Sequence, residues 1–587
     1  MIRSGSDRMK EPALKAKKNI AGQIVFTVTV VICMIAAVVC CYRKQGMHED
    51  EFYSYYSSNR TYGLIAEGTV SRDMIMDELT VREGEGFNFA LVKEVQSWDV
   101  HPPVYYFILH AVCSLMPGVF SMWQGLWINL ACLLISLILM FRLGDKLIPV
   151  PSDATGNEKS ETAVIRRDVT VCLGTLAWGI SAATLTGVAF IRMYMLLTVW
   201  ILSVTLLHLI KNVNQWFWPA LGALTFCGFM THYYFFIWLF FLAVAWNIRE
   251  IFRTKSIRTT LYYGLTMIVS FGLCYLFYPA FPAQMFRGQR GAQAAGNFFD
   301  AGNTWERIAF FAEKVNRIGF GGILWILIGL IVIMYLLNAD GRRGVRPRIA
   351  RWSAKSSHDE VKYSPVRYDE ADEAVIAIIN GSDNDIESRR SSLRSRVGMS
   401  DVVILICAVT GYFLVVSKTA LMLGDSSVRY VMPVLGILYL CLAEGLVTGA
   451  VGVMRVLTYG GDRGTKYGPI AASVIVGVIV IMNMISDLHG NISFLYPEKA
   501  GHRVILDQYS NADVICLYPS GQSWIIWADM TELLGFDEIT CMPADSVDLQ
   551  IDEPAVLYLD RGAAVIPDEA QYLYSNDYSD VYYCDGD

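Results

Sequence analysis

The chain has 587 residues, of which 54% are hydrophobic and 18% charged, against about 25% charged in an average soluble domain. Long apolar runs alternate with strongly charged segments. This pattern excludes a single soluble globule, a disordered chain, a coiled coil and a disulfide-rich secreted scaffold. The formal net charge of −7 argues against nucleic acid as a partner, which leaves a multi-pass membrane protein with soluble parts attached.

Residues 1–18 carry six Lys/Arg against two acids and read as a basic tail on the cytoplasmic side. The apolar run that follows is longer than a signal-peptide core. It ends in Cys-Cys-Tyr-Arg-Lys rather than a cleavage site, so it predicts a retained helix. A span needs about 20 apolar residues. On that criterion eleven spans are predicted, at 19–42, 119–142, 169–189, 193–210, 216–231, 233–248, 258–278, 319–337, 401–418, 429–449 and 469–487. Parity then puts 143–168, 249–257, 338–400 and 450–468 inside, and 43–118, 279–318, 419–428 and 488–587 outside. The stretch 101–117 is too short to cross and reads as an amphipathic helix on the outer surface.

Residues 19–487 therefore form one helical transmembrane domain. Its first outer loop is 43–118 and its long cytoplasmic loop is 338–400. That inner loop holds 12 Lys/Arg and 10 Asp/Glu and reads as flexible. Its cluster Arg342, Arg343, Arg346, Arg348 and Arg351 is placed to face anionic lipid headgroups. Residues 488–587 hold 18 Asp/Glu against three Lys/Arg. The runs ADVICLYP, SWIIWADMTELLG, PAVLYLDR and DVYYCD predict a small acidic α/β domain on the outer side. Of 13 cysteines, ten lie in apolar segments and read as small buried hydrophobes. Cys516, Cys541 and Cys584 leave room for one disulfide at most. No nucleotide-binding glycine fingerprint, P-loop or Cys/His metal spacing occurs.

Ionisable groups beside membrane segments are costly and tend to be functional. On the predicted outer face they are few. His48-Glu49-Asp50-Glu51 follows the first span and supplies either a solvated acidic loop or a general base. Asp99 and His101 precede two prolines, where they suit a helix start or a binding loop. Arg192 and Tyr194 lie on the next outer turn, where an arginine can also snorkel. His232 and its neighbouring tyrosines fit an interfacial aromatic belt or a pocket. Arg429 and Tyr430 open a later span, with the cation against the positive-inside bias. Arg287 and Arg290 fall in a Gly/Ala-rich loop that reads as a lid or a plain connection. A base opposite cations at a lipid surface suits transfer from a phosphate-linked lipid, because the cations offset the charge of the leaving phosphate.

These residues resemble family 39 glycosyltransferases of the GT-C fold, a group that includes protein O-mannosyltransferases and bacterial aminoarabinose transferases. The matching segments are Asp50-Glu51, WDVHPPVYYFILH at 98–110, AFIRMYMLL at 189–197, THYYF at 231–235 and VRYVMP at 428–433. The resemblance runs from the first helix to about residue 450 and is to the bacterial type. It implies a polyprenyl-phosphate-linked sugar as donor and a hydroxyl or phosphate of a protein, lipid or cell-wall polymer as acceptor. Transfer would be inverting at the outer face of the cell membrane. Asp50 would act as general base with Glu51 beside it, and Glu49 could displace the catalytic position by one. Asp99, His101, Tyr194, His232 and Tyr430 would shape the substrate pocket, while Arg192 and Arg429 would hold the lipid phosphate. No cofactor is required, although Asp50 with Asp99 could hold a divalent metal of the kind some GT-C enzymes use. Two other readings are a transporter or flippase of lipid-linked glycans and an assembly protein whose acidic tail binds a partner.

Overall fold

The computed structural model describes residues 7–60, 67–150, 161–210, 213–339, 400–457, 463–544, 551–561 and 570–586. The inner loop with its arginine cluster lies outside the described residues, as does the start of the basic tail.

In chain order the helices begin with α1 (Asp7–Tyr42), α2 (Glu49–Asn59), α3 (Arg72–Leu79), α4 (Phe89–Trp98), α5 (Val104–Ser114), α6 (Met122–Leu147) and α7 (Glu161–Gly179). Next come α8 (Ala182–Ala189), α9 (Tyr194–His208), α10 (Phe217–Phe229), α11 (Tyr234–Thr254), α12 (Arg258–Phe277), α13 (Phe281–Phe286), α14 (Gln289–Phe299) and α15 (Thr304–Lys314). The remainder are α16 (Leu324–Ala339), α17 (Asp401–Thr419), α18 (Met432–Leu457), α19 (Arg463–Leu488), α20 (Glu498–Leu506) and α21 (Ile526–Leu533).

Seven of the described helices are long and apolar enough to cross a bilayer: α1, α6, α11, α12, α17, α18 and α19. Two bent pairs could each form one further span. They are α7 with α8, at 54°, and Thr304–Gly319 with α16, at 90°. The apolar helices α9 and α10 are shorter and occupy the stretches predicted at 193–210 and 216–231. A count of eleven is reached only with both bent pairs and both short helices. α9 is buried on nearly every side, as an all-apolar helix at the centre of a bundle should be. The predicted surface helix at 101–117 is α5. It is wedged against α2, α4 and α6 rather than laid on the surface, with Tyr105, Tyr106, Leu109 and His110 buried.

The soluble end is a six-stranded sheet made of β1 (Gly68–Ser71), β2 (Asp513–Tyr518), β3 (Glu538–Pro543), β4 (Ala555–Asp560), β5 (Gln571–Ser575) and β6 (Ser579–Cys584). Its order is β1-β3-β2-β4-β6-β5. β2 pairs parallel with β3 and β4, and the outer pairs are antiparallel. The sequence indicates β2, α21, β4 and β6. It does not indicate β1, which comes from the first loop, so the sheet is not confined to 488–587. Thr69 pairs with Thr540 in register, which ties that loop to the tail. Cys516, Cys541 and Cys584 are buried free thiols.

The two parts meet on α2. Trp527 of α21 lies against Phe52, Tyr53 and Tyr56, with ring centroids 5.6–6.1 Å apart. Lys44, just past α1, is wholly buried with Glu51 at 2.9 Å and donates to the Phe494 carbonyl at 2.8 Å. Gln45 N–H donates to the Leu495 carbonyl at 2.7 Å. The first span, α2 and the segment entering the soluble domain are thus joined through one buried ion pair.

Removing one partner of a buried pair leaves an uncompensated charge and costs about 3–5 kcal/mol. Glu51→Ala should therefore lower the thermal midpoint of the nanodisc-embedded protein clearly, and Glu51→Leu with Lys44→Met should recover much of it. An unchanged midpoint in the single variant would refute a structural role for the pair.

Candidate active site

The site begins with the cap of α2. His48 Nδ1 accepts from the Asp50 N–H at 3.1 Å, and Glu51 Oε2 accepts from the His48 N–H at 2.7 Å. This is a capping box with histidine in the cap position. Three acids in the first turn suit the positive end of the helix dipole. The geometry separates those acids. Glu51 points inward, with Oε1 accepting from the Ile191 N–H at 2.7 Å and Oε2 bound to Lys44. Asp50 points toward the cluster of arginines and keeps 32% of its side chain exposed.

Glu51 therefore does not share the open position expected of a catalytic partner. Its side chain has no exposed surface, and both oxygens are engaged. It positions the break between α8 and α9, which carries Arg192. That break is fixed further by Asn129, which donates to the carbonyls of Val188 and Phe190 at 3.1 and 2.7 Å. Gly125 lets α6 approach it, since a Cβ there would collide with Ile191.

Arg192 and Arg429 flank Asp50. Arg192 Nη2 lies 3.7 Å from Oδ1, and Arg429 Nη2 lies 3.8 Å from Oδ2. Their side chains are only 6% and 3% exposed. Arg192 Nη1 also donates to the Asp50 carbonyl at 3.0 Å and to Ser54 Oγ at 3.2 Å. Arg429 comes from the 3-10 turn Gly424–Tyr430, held where Tyr412 donates to the Tyr430 carbonyl at 2.9 Å. Its guanidinium sits among the rings of Phe190, Tyr430 and Phe494, at 4.9, 5.1 and 5.5 Å. Such faces attract a cation but accept few of its N–H bonds. Arg429 Nε and Nη1 are buried with no hydrogen-bond partner among the described residues.

The other expected residues gather at the same place. Asp99 lies 3.3 Å from His101 Nδ1, and His101 lies 3.5 Å from Arg192 Nη2. The rings of His101 and His232 are 6.2 Å apart, those of Tyr194 and His232 5.5 Å, and those of Tyr194 and Tyr430 5.8 Å. Gln284 donates to the carbonyl of Asp99 at 2.6 Å and of Gln96 at 2.8 Å, which fixes that loop. Arg287, just past α13, and Arg290, in the first turn of α14, are exposed.

Burial by itself would raise the Asp50 pKa, but Arg192 and Arg429 outweigh it and hold the carboxyl well below the usual carboxylate range. Burial pushes the neighbouring Glu49 up to about 7, with the Asp50 charge adding to it. His48 falls to about 3, chiefly through burial, so it is neutral and its Nδ1 is free to accept. Asp50 thus stays ionised at neutral pH while Glu49, one residue away, titrates there.

Among the described residues no group of three or more His, Cys, Asp or Glu side chains is placed to hold a metal ion. The oxygens of Asp50 face the two guanidiniums. Residues absent from the sequence reading of the site are Lys44, Ser54, Phe190, Phe494 and Tyr496. Phe494 and Tyr496 have φ of 66° and 51°, a left-handed conformation that is strained for bulky side chains. Their ties to Lys44 and Arg429 hold it. A cavity of about 330 Å³ opens between His48 and Glu49 on one side and the soluble domain on the other.

No family model matches the chain, and no curated protein does. Two solved structures are similar in overall course. The crystal structure of ArnT from Cupriavidus metallidurans bound to undecaprenyl phosphate is 10% identical, with a TM-score of 0.43 over 95% of this chain and 97% of that one. The apo structure of the same protein is 12% identical, with a TM-score of 0.45 over the same shares.

Proposed function

We propose that the chain is a membrane glycosyltransferase that moves a sugar from a polyprenyl-phosphate donor to an acceptor hydroxyl. The observation that carries the reading is the arrangement of Asp50 between two buried arginines at one end of an apolar helix bundle, with donors of Arg429 left unpaired. An unpaired buried N–H is costly, and an arriving phosphate satisfies several at once through charge-assisted hydrogen bonds. The sequence resemblance of these segments to family 39 glycosyltransferases supports the same reading. So does the position of the cluster beyond the ends of the spans, where a lipid headgroup lies.

In this mechanism the donor phosphate lies against Arg192 and Arg429. The acceptor oxygen attacks the anomeric carbon as its proton passes to Asp50. The bond from that carbon to the phosphate oxygen breaks, and polyprenyl phosphate leaves with the electron pair. A single displacement inverts the anomeric centre. Its developing negative charge meets two preorganised cations in a site of low dielectric. The acceptor approaches from the face of Asp50 left open to solvent.

The resting Asp50 is a weak base because both arginines hold its ionised form. The phosphate competes for those arginines, so donor binding raises the Asp50 pKa and makes it a better proton acceptor. The base is activated only when the donor is in place.

Asp50→Asn should reduce sugar transfer about 10²–10⁴-fold with the fold intact, measured as product and released polyprenyl phosphate in nanodiscs. Full activity would remove Asp50 as base. Arg429→Met should raise the KM for donor more than that for acceptor, and equal effects on both would argue against a phosphate contact. The pH profiles carry a sign. Asp50 in the free enzyme loses its charge only below the usual carboxylate range, so it places no acidic limb on kcat/KM at pH 5–8. The kcat profile, which reports the donor complex, should have its acidic limb at higher pH than kcat/KM. Limbs at the same pH would contradict activation by the donor.

A further inference from the structure

We propose that the cavity between α2 and the soluble domain is the acceptor subsite, and that it takes a neutral or cationic saccharide headgroup. The inference rests on the glycosyltransferase reading and deepens it. At about 330 Å³ the cavity lies in the lower part of the range for small-molecule sites. It shares His48 and Glu49 with the first turn of α2. The Asp50 N–H donates to the ring of His48, so the cavity starts one residue from the base.

The lining has the composition that sugar recognition calls for. Tyr496 and Tyr578 supply aromatic faces, and Glu49, Glu498 and Asp577 supply planar carboxyl groups that can bridge adjacent hydroxyls. The cations present are already engaged. Lys499 donates to the Ala528 carbonyl at 2.7 Å and lies 5.4 Å from the Tyr496 ring centroid. Arg561 pairs with Asp580 at 3.1 Å. Asp529 is likewise occupied, accepting from Asn576 at 2.6 Å and from Ser579 at 2.8 Å. Glu498 and Asp577, by contrast, have no hydrogen-bond partner among the described residues and reach solvent at the rim. Free carboxylates beside engaged cations favour hydroxyl and ammonium donors and disfavour an anionic headgroup.

The walls come from two parts of the chain, and both are fixed. The Met47 N–H donates to Thr531 Oγ1 of α21 at 3.0 Å, and Trp527 packs on α2. The cavity is therefore preformed, with His48 and Glu49 of its wall directly preceding Asp50 in the chain. This gives the soluble domain a role in acceptor choice, while the arginine cluster binds the donor.

The test uses the full-length protein in nanodiscs with three probes: maltotriose, chitosan trisaccharide and a sulfated disaccharide. Hydrogen exchange is followed at residues 496–503 and 571–580, and polyprenyl phosphate retention is measured on the same samples. Maltotriose or the chitosan trisaccharide should protect both stretches, and the sulfated sugar should not. Asp577→Asn with Glu498→Gln, at exposed positions, should weaken that binding at least tenfold while leaving the thermal midpoint and polyprenyl phosphate retention unchanged. No protection by any sugar, strongest protection by the sulfated one, or equal binding by the double variant would overturn the proposal. Saccharide protection in a wild type that fails to retain polyprenyl phosphate would uphold the cavity as a saccharide site and overturn the donor reading instead.

Discussion

Two guanidiniums are buried around one carboxylate, and much of the rest of the structure serves that arrangement. Moving a charged side chain out of water costs several kcal/mol after relaxation. The site offsets this for Arg192 with Asp50, Ser54 and His101, and for Arg429 with Asp50 and three aromatic faces. The compensation is incomplete. The ion-pair separations of 3.7 and 3.8 Å are long for direct hydrogen bonds, and donors of Arg429 remain unused. Such a site is stable enough to form and still gains from an incoming anion.

The surrounding framework keeps the arginines apart and aimed. Glu51 joins Lys44, the cap of α2 and the break between α8 and α9 in one buried knot. The strained turns at Phe494 and Tyr496 run over this knot as the chain leaves α19 for the sheet. Strain of this kind persists where surrounding contacts over-determine it. Here it places Phe494 against both His48 and Arg429. The soluble domain, the two arginines and Asp50 therefore form one mechanical unit, with β1 from the first loop as a second tie.

Much of this was legible in the sequence. Long apolar runs gave the bundle, and short apolar runs gave three of the strands. Charged groups at span ends are expensive, which singled out Asp50, Glu51, Asp99, His101, Arg192, His232 and Arg429 as candidates, with Tyr194 and Tyr430 beside the arginines. What escaped has physical reasons. Asp50 and Glu51 look alike in a line of acids, and only helix rotation sends one inward and the other toward the arginines. Lys44 reads as ordinary positive flanking charge after a first span, yet it is sealed with Glu51. His48 is an uncommon cap residue, so the box it makes with Glu51 carries no strong signature. α5 is amphipathic by composition, but its exposed-looking tyrosines and His110 pack inward against α2 and α4. β1 is four residues long and pairs with a strand about 470 positions away, beyond the reach of local pattern.

The central claim is that Arg192 and Arg429 bind the phosphate of a lipid-linked donor. Native mass spectrometry of the nanodisc-embedded protein, offered equal amounts of a polyprenyl phosphate and the matching polyprenol, tests it directly. The account requires selective retention of the phosphate by the wild type and loss of that selectivity in Arg192→Met with Arg429→Met. Equal retention of the two lipids by the wild type, or undiminished selectivity in the double variant, would contradict it.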